Sequence, residues 1–269
     1  MEIVYNKTEA EERTFVQKLV DTAWPDLHPV VGQLLGRGGQ AVVYKLTFAD
    51  GHSEALKVID TSVYRDPARR KDANRRGRSE IHHHKQLSAK TDTVVKFYDS
   101  ASSCERGQDA PMCFLLRMEL LTPLDPKNLA ALDPANREKA VLQIMQGVLE
   151  ALCQTEDAGI IHRDVKCGNI LLRHDPATGQ QRFVLSDFGL ARPFHTRTDR
   201  SFFTVCGSSD HIAPEIIRRG KLIAGRSDIY SAGVMLFHLL FPQNDDYFDP
   251  ALFRQKSADF QDAGSRRFR

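Results

Sequence analysis

Strand-like apolar patterning fills the front of the chain and helical periodicity its middle. Val31 to Leu35 and Ala41 to Phe48 are rich in β-branched and aromatic residues, and they read as strands flanking a glycine-rich turn. Ala49-Asp50-Gly51-His52 is a second turn signal, and Ser53 to Ile59 reads as the strand beyond it. Residues 71 to 89 predict a helix, and two further strands are expected near Val94 to Tyr98 and Met112 to Met118. From Pro134 to Ala158 the signals are helical. Ile170-Leu171-Leu172 and Phe183-Val184-Leu185 flank the turn residues His174 to Gly179 and predict a hairpin. Ahead of all this, Thr8 and Glu11 give a capping-box pattern. Phe15, Val16, Leu19 and Val20 form a helical apolar face, which Trp24-Pro25 ends. That first stretch carries no chemistry and reads as packing or a docking surface.

Composition narrows the class more than the function. At 269 residues the chain reaches the usual limit of one core, so two lobes with a cleft are reasonable. A formal net charge of +2 implies no global field for a polyanion, and no nucleic-acid partner is expected. Five cysteines (Cys104, Cys113, Cys153, Cys167, Cys206) are odd in number and form no C-x-x-C pair. Free thiols in a reducing, cytoplasmic compartment are therefore expected, and no zinc site. The acidic start is unlike a secretory signal. The longest apolar run, near Gly233 to Phe241, is too short to span a bilayer, so no membrane insertion is expected.

The chemistry concentrates in His162-Arg163-Asp164-Val165-Lys166-Cys167-Gly168-Asn169 and Asp187-Phe188-Gly189. Phosphoryl transfer needs an oriented hydroxyl, shielded phosphate charge and a divalent metal. Asp164 suits the hydroxyl proton, and Lys166 the charge on the transferred group. Asn169 and Asp187 offer hard oxygen ligands of the kind Mg²⁺ takes. The predicted hairpin would bring these two to one end of the structure. Upstream, Gly36-Arg37-Gly38-Gly39-Gln40-Ala41 has a G-x-G-x-x-G/A spacing. Dinucleotide-binding folds share that spacing, but there the glycines open a helix. Here a strand follows, which favours a flap over phosphates.

These motifs together resemble a eukaryotic-type (Hanks-type) serine/threonine protein kinase, from about Val31 to about Leu240. The resemblance implies an α+β, two-lobed fold with a small antiparallel β-sheet N-lobe and a mainly helical C-lobe. It divides the chain into an extension (1–30), N-lobe (31–120), C-lobe (121–242) and polar tail (243–269). It implies ATP and Mg²⁺ as cofactors and a Ser or Thr hydroxyl of a protein as acceptor. Asp164 and Lys166 would be catalytic, and Asn169 and Asp187 metal ligands. Gly36, Gly38 and Gly39 would form the flap, with Ala41 in place of a third glycine. Lys57 would contact phosphates and pair with Glu80, the only acidic residue between Ala73 and Lys90. Met118 would close the back of the adenine pocket. Glu119, Leu120 and Leu121 would offer backbone groups, and Val43, Ala55 and Leu171 would sandwich the base. Asp228 would accept backbone hydrogen bonds beneath His162 and Arg163, or cap its own helix. Ala213-Pro214-Glu215 would close an activation segment with Thr196, Thr198, Ser201 and Thr204 as candidate phosphate acceptors. His211 stands where tyrosine is usual and Ser208 where threonine is, so no substrate preference carries over. The family continues for several more helices, so either the lower lobe is expected to be shortened or the chain to be a fragment.

Other features stay open. Seven basic residues between Arg65 and Arg78 are a solvated face or a phosphate-binding patch. His82-His83-His84 diverge by about 100° per residue on a helix and make a poor metal site. His84 would join a stack with Phe97, Phe188 and His162, where a polar ring would loosen the active arrangement. A non-catalytic kinase-like scaffold is the alternative reading. A small-molecule kinase is another, disfavoured by Lys166 and by Ala213-Pro214-Glu215.

Overall fold

Short turns between consecutive apolar runs make antiparallel neighbours, and the upper lobe is built that way. The computed structural model describes residues 8–38, 41–104, 111–175, 179–193, 211–213 and 226–242. Strands β1 (Val30–Arg37), β2 (Ala41–Thr47), β3 (Ser53–Asp60), β4 (Phe97–Cys104) and β5 (Pro111–Glu119) form one sheet in the order β1-β2-β3-β5-β4. All neighbours pair antiparallel. Gly51 turns β2 into β3 with a φ of 87°, a conformation that only glycine adopts without strain. The central strand, β3, is buried on both faces from Glu54 onward. Its buried Glu54 carboxylate accepts from Arg117 Nε at 2.8 Å and Nη2 at 2.9 Å.

Helix α1 (Glu9–Ala23) carries the capping box: Thr8 N–H donates to Glu11 Oε2 at 2.8 Å, and Glu11 N–H returns a longer bond to Thr8 Oγ1. Its buried Val16 and Val20, with Trp24, enter the same core as Val42, Leu46 and Leu115 of the sheet. Trp24 Nε1 donates to Asp99 Oδ2 at 2.7 Å, and Arg117 lies 5.2 Å from the Trp24 ring centroid. The first helix thus packs as a wall of the upper lobe.

Two expected boundaries are corrected. Helix α2 runs Pro67–Ser88, starting four residues before the expected helix. Asp66 caps it by accepting from Ala68 N at 2.8 Å, and Pro67 sits at the first turn, where a missing N–H costs nothing. Strand β4 occupies Phe97–Cys104, not Val94 to Tyr98. It is an edge strand with mostly exposed or half-buried polar positions, so its sequence lacks an apolar signature. Gly77 brings α2 against β5: a Cβ there would stand 2.6 Å from the Phe114 ring.

The lower lobe holds β6 (Thr122–Pro123), α3 (Pro126–Ala130), α4 (Pro134–Asp157), β7 (Ile160–Ile161), β8 (Ile170–His174), β9 (Gln181–Leu185), β10 (Arg192–Pro193) and α5 (Arg226–Leu240). Val141, Ile144, Val148 and Leu152 line one face of α4 and share a core with Met235 and Leu239 of α5. Strands β8 and β9 pair as the expected hairpin.

A seam joins the lobes. Val95 N–H donates to Leu185 O and Leu185 N–H to Thr93 O, both at 3.0 Å. Arg173 reinforces it, donating to Val94 O at 2.9 Å and pairing with Glu119 at the end of β5. Among the described residues no helix is long and apolar enough to cross a membrane. Gly39, Thr196, Thr198, Ser201, Thr204, Ser208, Pro214, Glu215 and the 243–269 tail lie outside the described residues.

Candidate active site

Pleating sets which strand residues face the cleft between the lobes. Ala55, Lys57 and Ile59 alternate along β3 and project from one side. Register pairs Lys57 with Val43 and Leu116, and Ala55 with Met118. Val43, Ala55, Lys57 and Met118 therefore share that face. Glu119 N–H donates to Lys96 O at 3.0 Å, and its side chain turns to Arg173, so Leu120 and Leu121 follow directly on the strand end.

The loop that carries His162 to Asn169 is held from below. Asp228 of α5 accepts from His162 N at 2.7 Å and from Arg163 N at 2.8 Å. Arg163 has a φ of 67° and Asp187 a φ of 64°, both costly for residues with a Cβ. Arg163 Nε donates to Leu190 O at 2.7 Å. His162 Nε2 donates to Ser186 O at 3.0 Å, and its Nδ1 accepts from Asp164 N at 3.3 Å. Those two contacts fix one ring tautomer and tie the loop to the strand leading into Asp187. The Ser186 and Leu190 carbonyls were invisible to sequence reasoning, because backbone acceptors leave no residue-type signal.

Asp164, Lys166 and Asn169 converge. Lys166 Nζ lies 2.8 Å from Asp164 Oδ2, and Asn169 Nδ2 donates to Asp164 O at 2.7 Å and to Oδ2 at 3.1 Å. The amide nitrogen is thereby engaged, which leaves Asn169 Oδ1 as the atom suited to a metal. Ser186 N–H donates to Asn169 O at 2.9 Å, so Asn169 and Asp187 are brought to one end of the β8–β9 hairpin.

Across the cleft, Lys57 Nζ sits 2.5 Å from Glu80 Oε1 and 2.9 Å from Asp187 Oδ1. Burial alone would lower the Lys57 pKa; the Asp187 and Glu80 charges outweigh it and raise it. For Asp187, burial acts upward, but Lys57 holds the carboxyl well below the usual range. Its side chain nevertheless keeps 42% exposure to the cleft. Glu80 is pushed up by burial, against the pull of Lys57. A cavity of about 290 Å³ opens here, lined by Gly38, Lys57, Glu80, Asp164, Lys166 and Asp187 among others. Gly189 keeps its floor clear, since a Cβ there would come 3.0 Å from Glu80 Oε2. Gly36, Val43, Ala55, Met118, Glu119, Leu121, Asn169 and Leu171 do not line it. An acid-flanked ammonium and a clear glycine floor fit a phosphate chain with a divalent cation. Burial pushes the Cys167 thiol up to about 11, which keeps it protonated near neutral pH.

His84 sits 5.4 Å from both Phe97 and Phe188, and His162 lies 5.2 Å from Phe188. Within this stack the His84 ring is anchored, its Nε2 donating to Val95 O at 2.8 Å. Burial, aided by Lys57 and opposed by that bond and by Asp187, pushes its pKa down to about 4. An unfolded chain protonates this ring near pH 6.5 and the folded one does not. His84 therefore contributes stability above about pH 6.5 that is lost as pH falls toward 4. Urea midpoints across that range should fall less steeply for His84→Leu than for the wild type.

The three adjacent histidines diverge: His83 faces Ser79, while His84 faces Val95. Among the described residues no cluster of three or more His, Cys, Asp or Glu gathers as a metal site. In the basic stretch, Asp72 pairs with Arg75 at 2.5 Å and Arg76 at 2.8 Å. Even so, Arg192 has its pKa lowered by burial first and then by the charges of Arg75, Arg163 and Arg76.

A family model, that of the protein kinase domain, matches residues 30–250. A probable serine/threonine-protein kinase PknB of Bifidobacterium longum is 32% identical over 78% of this chain and 29% of its own length. CBL-interacting protein kinase 4 of Oryza sativa subsp. japonica is 33% identical over 78% of the chain and 43% of its own length. CBL-interacting serine/threonine-protein kinase 1 of Arabidopsis thaliana is 29% identical, over 78% and 44%. The chain thus spans less than half the length of these curated relatives. With the family model covering most of its residues, the chain belongs to the protein kinase domain family.

Proposed function

We propose that the protein transfers the γ-phosphate of ATP to serine and threonine hydroxyls of proteins. The observation that carries this is Lys57, placed between Glu80 at 2.5 Å and Asp187 at 2.9 Å, across the cleft from Asp164. In this reading Lys57 holds the α- and β-phosphates, and Glu80 fixes the lysine's direction. Val43, Ala55, Met118 and Leu171 enclose the adenine, with backbone groups of Glu119 and Leu121 at its edge. Gly36, Gly38 and Gly39 let the turn approach the phosphates. Asp164 accepts the hydroxyl proton as the oxygen attacks, with its carboxylate oriented by Lys166 and Asn169. Lys166 offsets charge on the transferred group. Asn169 and Asp187 would hold Mg²⁺, which shields the phosphate charge when bound.

The positive charges of Arg75, Arg163 and Arg76, which all act on Arg192, support regulation by phosphate within the 194–210 segment. Mass spectrometry after incubation with Mg·ATP would reveal that phosphate. Free Cys104, Cys113, Cys153 and Cys167 support a reducing, cytoplasmic setting. The test of function is radiolabelled ATP with a generic protein substrate. Label should enter serine and threonine, and EDTA should abolish it. Bound nucleotide without transfer would favour the scaffold reading and sink this one.

A further inference from the structure

Glu12 lies in the first turn of an amphipathic helix, yet it is only 2% exposed. A carboxylate buried beside Val16 and Tyr44 is strongly destabilising unless a cation meets it. The cation is Arg37, the residue between Gly36 and Gly38 of the glycine-rich turn. Arg37 Nη2 donates to Glu12 Oε2 at 2.5 Å and Nη1 to Oε1 at 3.2 Å, a two-pronged pairing. Tyr44 Oη donates to Glu12 Oε2 at 3.4 Å from the facing strand β2. Burial, then the Glu12 charge, pushes the Tyr44 hydroxyl up to about 12, so it remains a donor.

The same helix holds the start of β1. Gln17 Oε1 accepts from Val31 N at 2.7 Å, and Gln17 Nε2 donates to Pro29 O at 3.0 Å. Between these two attachments the β1–β2 register is irregular, shifting between Val31 and Leu34 and again between Leu34 and Gly36. Ladder pairing alone therefore fixes the end of β1 less firmly than it would a regular strand. The turn's inner bond, Gly38 N–H to Ala41 O at 2.8 Å, closes it but does not orient it against the lobe.

We propose that α1 is a positioning element for nucleotide binding: Glu12 grips Arg37 and thereby sets the glycine-rich turn over the phosphate end of the cleft. This rests on the nucleotide-binding reading above and adds to it a residue outside the matched family region, since Glu12 precedes residue 30. Arg37 needs no contact with the nucleotide; it acts through the backbone of its glycine neighbours.

Three variants test it: Glu12→Gln, Arg37→Met and the double variant. Arg37→Met leaves the buried Glu12 carboxylate without its cation, so the double variant, which removes both charges, keeps the test valid should either single fold poorly. The readouts are amide hydrogen exchange of residues 36–43, the Kd of a trinitrophenyl-ATP probe with Mg²⁺, the split between KM for ATP and kcat, and the urea midpoint. Each single variant should weaken nucleotide binding about fivefold and speed exchange in the turn, and the double variant should be no worse than either single. KM should rise while kcat changes little. Unchanged exchange and Kd, even with a lowered urea midpoint, would reduce α1 to packing and overturn the proposal. A wild type that fails to bind the probe would overturn the kinase reading instead, and exchange alone would still decide whether α1 holds the turn.

Discussion

Exchanging Asp164 for asparagine is expected to lower kcat about a thousandfold, with nucleotide affinity changed less than about twofold. Asparagine has nearly the same shape, and its oxygen can still accept from Asn169 Nδ2 and Lys166 Nζ, now 3.1 Å and 2.8 Å from Asp164 Oδ2. What disappears is the negative charge and the capacity to take a proton. The loop stays in place because its other anchors lie elsewhere: Asp228 below, Ser186 behind and Leu190 beside it. Steady-state kinetics with labelled ATP, paired with a binding isotherm, separates the two quantities. An unchanged kcat would remove Asp164 from the proton-accepting role.

Replacing Asp228 with alanine should destabilise the fold by about 3 kcal/mol and disable transfer as well. The buried N–H of His162 and the half-buried N–H of Arg163 lose a charged acceptor together. Hydrogen bonds to charged groups contribute about 1.5–3 kcal/mol each, so the simple sum would be larger. It is reduced because burial already raises the Asp228 pKa, meaning that the charge itself costs something where it sits. The left-handed Arg163, with φ of 67°, also loses the contact that holds it there. Asp228→Asn keeps one acceptor and should recover part of the loss. Urea denaturation reads both, and a change below about 1 kcal/mol for alanine would show that the loop is held by other contacts.

The elements legible from sequence were those whose signal is local. The β8–β9 hairpin, the span of α4 and the capping box of α1 each rest on residues within a few positions of one another. The start of α2 was equally local, in Asp66-Pro67, but the arginine-rich stretch after it masked the cap. Strand β4 was misplaced because an edge strand with a solvated face needs few apolar residues. Glu12 was unreadable for a different reason: a buried glutamate looks like any helix-surface glutamate until Arg37, 25 positions away, is placed beside it. His84 shows the converse. Its polarity gave no hint of its partner, because the Val95 carbonyl that holds the ring is an acceptor of a kind present at every residue.

The seam at Val95 and Leu185 has a mechanical consequence. Two backbone hydrogen bonds and the Arg173 contacts fasten the lobes at the back of the cleft. Any separation of the lobes that preserves them must be a rotation about that line. The molecule then works as a pair of pliers with its rivet at residues 93–95 and 185. Displacement grows with distance from the rivet, so Asp187, two residues beyond Leu185, stays nearly fixed to it while more distant parts of the upper lobe swing further.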